Sequence, residues 1–246
     1  MISDKIYKII YFLVHLLTIF FIIINTINLN IINILSCIIT IIVFNIPIII
    51  EKKLKIDLSS NLKSFILIFI YSSEILGRVN NYYGRFSLFD NYLHIINGFI
   101  AASIGFSLML LFYKDITKVK YYKIFIPLIV FCFSMTNALG WEFFEYIGDS
   151  LFNTDMQQDQ YIYNINTKLL DDNHDHVIRI NNIDYITIHN NNIKKINGYI
   201  DIGLNDTMQD LGANLLGAII YCVLGYFYII DNKKHNIAEK FMIKSS

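Results

Sequence analysis

The chain has 246 residues, 20 basic against 20 acidic, with 55% apolar and only 16% charged residues and a mean hydropathy of +0.48. That balance excludes an ordinary water-soluble domain and makes lipid the expected solvent. Zero net charge, with no basic run, also excludes nucleic acid as a partner.

A bilayer core takes ~20 apolar residues per helix, and six such runs follow along the chain. The first extends from about Tyr7 to Leu29 and the second from Ile31 to Ile50, joined through Asn28 and Asn30 as a tight hairpin. The third, Leu62 to Gly77, is the shortest and carries Glu74 near its end. The fourth, Ser87 to Tyr113, begins with Asp90 and His94. The fifth, Tyr122 to Ile147, has Glu142 and Glu145 near its end, and the sixth, Asp206 to Ile230, starts with Asp206 and Asp210. Before the sixth lies an insert, 149–205, in which Val177 to Ile180 and Ile183 to Ile188 flank Asn181-Asn182 as a β-hairpin, with a second turn at Asn197-Gly198.

The expected fold is an all-α polytopic membrane protein of about six transmembrane helices with a small β-rich extracytoplasmic insert. Its parts are an N-terminal hairpin (1–50), helices three to five (51–148), the insert (149–205) and the sixth helix with its tail (206–246). The first run is too long for a signal-peptide core and has no small-residue cleavage site, so it is expected to be retained. Cys37, Cys132 and Cys222 lie inside apolar runs, spaced too widely for a zinc or redox motif.

Lysine placement gives the orientation, because basic short loops stay on the cytoplasmic side. Lys5 and Lys8, then Lys52, Lys53, Lys55 and Lys63, then Lys114, Lys118, Lys120 and Lys123, then Lys233, Lys234, Lys240 and Lys244 fall in alternate segments. Both termini are therefore expected in the cytoplasm. Trp141 and Tyr82-Tyr83 suit an outer interface belt.

Six alternating spans bring the polar ends of spans three to six to the outer face. At ~1.5 Å per residue, His94, Glu142 and Asp210 each sit roughly 5 to 10 Å inside that boundary. Asp90, His94, Asn97, Gly98, Ala101 and Gly105 share one helical face, as do Asp206, Asp210, Asn214, Gly217 and Tyr221. In span five, Ser134, Ala138, Glu142 and Glu145 fall close together. Small residues on such stripes let helices approach closely in lipid.

Glu74, Asp90, Glu142, Glu145, Asp206 and Asp210 face only Arg78, Arg85 and His94 as nearby basic groups. Buried acids in that excess must share protons, pair, meet water or bind a cation. The expected metal ligands are Asp90, His94, Glu142, Asp206 and Asp210. Glu142, Glu145 and His94 are the expected proton carriers, and Glu74 and Asn214 further polar members of the site. Oxygen ligands with one imidazole suit a divalent Mg, Mn, Fe or Zn ion rather than a thiol-loving metal. A polar network that only fixes helix register is the competing reading. Glu74 pairs equally well with Arg78 one turn later. His15 reads as a packed histidine, and His174 and His176 as parts of a solvated acidic loop.

Glu74, then Phe89-Asp90-Asn91-Tyr92-Leu93-His94 and Gly98, then Trp141-Glu142-Phe143-Phe144-Glu145, then Asp201-Ile202-Gly203 and Asp206 through Gly217 together resemble the YjdF-like bacterial membrane proteins. A more distant similarity is to VanZ-like proteins. The resemblance covers spans three to six and implies a multi-pass bacterial inner-membrane protein. The VanZ-like association with glycopeptide-antibiotic resistance points towards envelope chemistry.

Three functions compete. One is a metal-dependent hydrolase or transferase acting at the outer leaflet on a lipid-linked or envelope substrate. Another is a cation- or proton-coupled transporter, against which stands the scarcity of charge in the inner halves of the spans. The third is a non-catalytic scaffold with a structural polar layer.

Overall fold

The computed structural model of the chain describes residues 3–112, 120–189, 193–231 and 236–245. Lys114, Lys118, Lys233 and Lys234 lie outside the described residues. The chain forms two compact units, one of residues 1–139 and 210–246 and one of residues 140–209. Among the described residues, five helical stretches are long and apolar enough to cross a membrane: Asp4–Ile27, Ile31–Leu54, Phe89–Phe112, Tyr122–Phe152 and Leu204–Ile230.

The first unit opens with α1 (Asp4–Ile27), which Ser3 caps by accepting from the Ile6 amide. Leu29 in the left-handed region makes the turn, and α2 (Ile31–Val43) returns alongside α1. Nδ2 of the Asn33 side chain donates to Oδ1 of Asn25 at 3.0 Å and ties the hairpin at its tip. Asn45 and Pro47 break the second span and start α3 (Ile46–Leu54), because proline fits the first turn of a helix better than its interior. Phe12, Leu16, Phe20 and Ile23 on α1 and Ile38, Ile39 and Ile42 on α2 remain exposed. Apolar faces of that extent, on helices long enough to span a bilayer, suit lipid rather than water.

After β1 (Ile56–Leu58), the third expected span takes a composite form. It is an 11-residue α4 (Ser60–Ile70) that continues into a π-helix over Tyr71–Val79. The π stretch ends with the Asn80 amide bonded to the Ile75 carbonyl five residues back, at 3.1 Å. Ser72, Ser73, Glu74 and Arg78 in this stretch dilute its apolarity, which is why it falls short of the other five. A short α5 (Tyr82–Arg85) leads into α6 (Phe89–Phe112).

Two helices cross from one unit to the other in sequence, α7 (Tyr122–Phe152) and α8 (Leu204–Ile230). In the first unit, α6 and α8 touch backbone to backbone. A Cβ on Gly98 would collide with the Asn214 carbonyl, and one on Gly217 with the Ile95 carbonyl. The two glycines therefore face each other's helices reciprocally, as close approach in lipid requires. The unit finishes with α9 (Asn236–Glu239) and β8 (Ile243–Ser245), which pairs antiparallel with β1.

The second unit takes in the end of α7, six short strands and the start of α8, so it is longer than the expected insert 149–205. The strands are β2 (Tyr161–Ile162), β3 (Ile165–Thr167), β4 (Ile178–Ile180), β5 (Ile186–His189), β6 (Ile193–Ile196) and β7 (Tyr199–Ile200). They pair as β2 with β7, β3 with β4 and β5 with β6, all antiparallel. The hairpin expected across Asn181-Asn182 does not form. Its two strands exist, but β4 pairs backwards with β3 and β5 forwards with β6. The expected turn at Asn197-Gly198 joins β6 to β7, and β7 pairs with β2 instead. Gly198 adopts φ 88°, a conformation glycine takes without penalty.

Candidate functional site

In the first unit, the i to i+4 spacing puts Asp90 and His94 one turn apart at the start of α6, and the α6–α8 contact brings Asp210 to them. Nε2 of His94 lies 3.5 Å from Oδ1 of Asp90 and 3.6 Å from Oδ2 of Asp210. His94 is 6% exposed and Asp210 1%, while Asp90 is half-buried. One ligand atom from each lies within 4.8 Å of the other two. Separations of 3.5 to 3.6 Å are long for a hydrogen bond. They match the roughly 3.4 to 3.6 Å between two ligands held ~2.1 to 2.2 Å from one tetrahedral ion. Nδ1 of His94 is buried and has no hydrogen-bond partner among the described residues. Either tautomer of the ring leaves that nitrogen unmatched.

One turn deeper, three helices are cross-linked by amides. The Asn97 amide donates to Oδ1 of Asn214 at 3.0 Å. The Asn214 amide reaches the carbonyl and hydroxyl of Ser134 on α7, each at 3.5 Å, and the Ser134 hydroxyl donates to the Gly98 carbonyl at 3.0 Å. Asn214 and Ser134 are fully buried. Glu74 is on the π-helix, where its carboxylate is 3.6 Å from the Arg78 guanidinium.

The second unit contains the other expected site residues. Glu142 and Glu145 are both buried on α7, and Oε1 of Glu145 accepts from the Trp141 indole at 2.7 Å. Trp141, assigned above only to an interface belt, thus also orients a buried acid. Asp206 is buried at the start of α8, where its Oδ2 accepts from the Gln158 amide at 2.9 Å.

Asp206 belongs to a set of three aspartates that bind the segment leading into β2. Asp149 accepts from the amides of Met156 and Gln157 at 2.7 and 2.8 Å and from the Thr154 hydroxyl at 2.7 Å. Asp201 accepts from the amides of Gln160, Gly203 and Asn205 at 3.0, 3.2 and 2.9 Å. Burial alone would raise the Asp201 carboxyl, but these amide donors outweigh it and hold the pKa below the ordinary aspartate value. The Gln157 side chain adds a 2.6 Å bond to the Thr207 hydroxyl.

A family described as predicted membrane proteins, DUF2238, matches residues 7–231. The chain belongs to that family. It is the family of the YjdF-like proteins, so membership extends the likeness seen in spans three to six to the first two spans and the insert; the VanZ-like likeness finds no counterpart. Nothing among the curated proteins and nothing among the solved structures matches the chain.

For this DUF2238 member, the aspartate strap was the main feature missed by sequence reasoning. Asp201-Ile202-Gly203 had its signal in plain view, since an Asp beside a Gly marks a turn in which the Asp side chain accepts nearby backbone amides. Asp149 carried no such signal, because its partners lie in a segment without periodicity. Asn97 and Ser134 were visible only as members of polar stripes, and their cross-link depends on the close approach that Gly98 and Gly217 permit.

Proposed function

We propose that this DUF2238 protein holds a divalent cation between Asp90, His94 and Asp210 on the extracytoplasmic side of a bacterial inner membrane. An ion held there would supply activated water for hydrolysis or group transfer on a lipid-linked or envelope substrate. The observation that carries the reading is the spacing of the three side chains, with Nε2 of one buried imidazole 3.5 and 3.6 Å from two carboxylates. The protein contributes a fixed, largely buried ligand set, held by the amide cross-link one turn below it. Glu142 and Glu145 are assigned as the proton carriers.

Several contacts of the first unit support the orientation. The Ser60 hydroxyl bonds to Asp4, and β8 pairs with β1, so the start of α1, the 52–63 connection and residues 236–245 meet at one end. That end carries Lys5, Lys8, Lys52, Lys53, Lys63 and Lys240, and the positive-inside rule assigns it to the cytoplasm.

Thermal unfolding in detergent, after chelation and with Zn, Mn or Mg returned one at a time, tests the cation. A ligand at 100 times its Kd stabilises the folded state by ~2.7 kcal/mol. A rise in Tm with one of these ions in the wild type and none in His94→Ala is expected; no rise with any of them overturns the reading. Glu142→Gln and Glu145→Gln test the proton carriers, each expected to lower turnover about a hundredfold or more with the fold intact.

A cation or proton pathway is the second reading. It draws on Asn97, Asn214 and Ser134, which continue the polarity inward from the acids. Flux in proteoliposomes that is abolished by Asn214→Leu, with no hydrolytic turnover in the wild type, would favour it.

A further inference from the structure

Residues 236–245 return into the helix bundle of the first unit. The Phe241 ring lies edge-on to Phe65 of α4 at 4.9 Å and to Phe99 of α6 at 5.0 Å between centroids. The buried Tyr221 hydroxyl of α8 donates to the Ala238 carbonyl at 3.1 Å. The Ile243 amide donates to the buried Ser107 hydroxyl of α6 at 2.9 Å, and the Ser59 hydroxyl donates to the Lys240 carbonyl at 2.6 Å. Ala238 and Met242 join the core formed by Ala102, Phe106 and Val130, while Ile243 packs with Leu58, Leu62 and Ile100.

These contacts have a depth. Phe99 follows His94 by five residues, ~7.5 Å along α6, whereas Ser107 is ~20 Å away from it. The segment therefore enters from the lysine-bearing end and reaches to about a turn and a half from His94. The Asn97–Asn214–Ser134 layer and the Phe99–Tyr221 ring pair, 5.1 Å between centroids, lie between its tip and the acids. Its attachments are single hydrogen bonds, ring edges and the buried side chains of Ala238, Met242 and Ile243, and its two-stranded pairing with β1 is three residues long. A two-stranded ribbon of that size is marginal without packing. A short segment held in this way is a smaller cooperative unit than the long helices around it and can open separately from them.

We infer that residues 236–245 are a displaceable plug, filling a cleft between α4, α6 and α8 that leads from the lysine-bearing face towards the His94 level. The plug closes that cleft to water while the carboxylates are served from the opposite end. Its release gives the site a second entrance. The inference is independent of whether a metal binds.

Ile100 lies beneath the plug and is almost fully buried against Leu62 and Ile243, so a cysteine there reports on opening. In a background carrying Cys37→Ala, Cys132→Ala and Cys222→Ala, Ile100→Cys is exposed to a membrane-impermeant thiol reagent from the lysine-bearing side. Its reaction is expected to be at least ~10-fold slower than that of Lys53→Cys, and to accelerate about 10-fold when Phe241→Ala is added. An unchanged rate in a folded Phe241→Ala protein overturns the inference. So does an Ile100→Cys rate already equal to that of Lys53→Cys. Tyr221→Phe, which removes a single hydrogen bond to the segment, provides the milder variant and is expected to raise the rate several-fold. Unfolding of both variants would make the segment an integral part of the core and would also overturn the inference.

Discussion

At the scale of single residues, the positions of His94 and Asp210 depend on two hydrogens. Gly98 and Gly217 present Cα hydrogens to the Asn214 and Ile95 carbonyls, and a methyl in either place must push α6 and α8 apart. Overpacking of this kind costs ~1 to 3 kcal/mol when a core can adjust. Here the obstacle is backbone, which has less freedom than a side chain. Gly98→Ala and Gly217→Ala are each expected to lower the detergent Tm clearly and to abolish the metal-dependent rise in Tm. Gly140→Ala serves as the control, because a Cβ there meets nothing within 4 Å. Equal behaviour of all three variants would show that the α6–α8 approach does not hold the ligands.

The residues of this layer were legible from sequence because charge inside an apolar run is rare and helical phase is simple. Asp90, His94, Asn97 and Gly98 could be placed on one face by counting alone. Which partner each would meet was not legible. Glu74 illustrates the difficulty: its spacing allowed either the acid layer or Arg78, and its carboxylate lies 3.6 Å from Arg78 on the π-helix. No property of Tyr71–Val79 in the one-dimensional pattern announces a π turn, since its hydrogen bonds shift by one residue without changing composition.

At the scale of elements, the apolar runs were readable because each is one segment with one period. The strands of the insert were readable as segments too, and only their pairing was misassigned. Pairing is a long-range property: β2 and β7 lie 37 residues apart at Ile162 and Tyr199, and no local turn signal specifies them. The aspartate strap flanks both strands, since Asp201 follows β7 and accepts from the Gln160 amide just before β2. Asp201 accepts three amides and its pKa is held below the ordinary value, so ionisation stabilises the folded strap. For a depressed carboxyl the contribution is fully present above the unfolded pKa and disappears as pH falls through the folded one. Amide exchange of Gln160 and Asn205 is therefore expected to stay protected at neutral pH, once intrinsic rates are corrected, and to lose protection as pH drops below about 4. In Asp201→Asn the protection should already be reduced at neutral pH and change little with acid. Protection in Asp201→Asn equal to that of the wild type at neutral pH would contradict that role.

At the scale of the whole molecule, the fold follows from where the chain can hide its backbone and its charges. Long apolar helices keep every internal hydrogen bond satisfied in lipid, and the few ionisable side chains are left to find one another. The lysines then decide which way the molecule faces. Lys53→Cys and Ser87→Cys, at opposite ends of the first unit, test that directly with an impermeant reagent on intact cells. Ser87→Cys is expected to label from outside and Lys53→Cys only after permeabilisation. The reverse pattern would invert the topology and move the Asp90–His94–Asp210 group to the cytoplasmic side.

The central claim is that these three side chains hold a divalent ion. Elemental analysis of the protein purified in detergent, wild type beside His94→Ala and Asp210→Asn with folding checked for each, tests it most directly. Near-stoichiometric metal in the wild type, lost from both folded variants, is the predicted result. Metal absent from a wild type supplied with Zn, Mn, Mg and Fe during growth and purification, or retained undiminished in both variants, would contradict it.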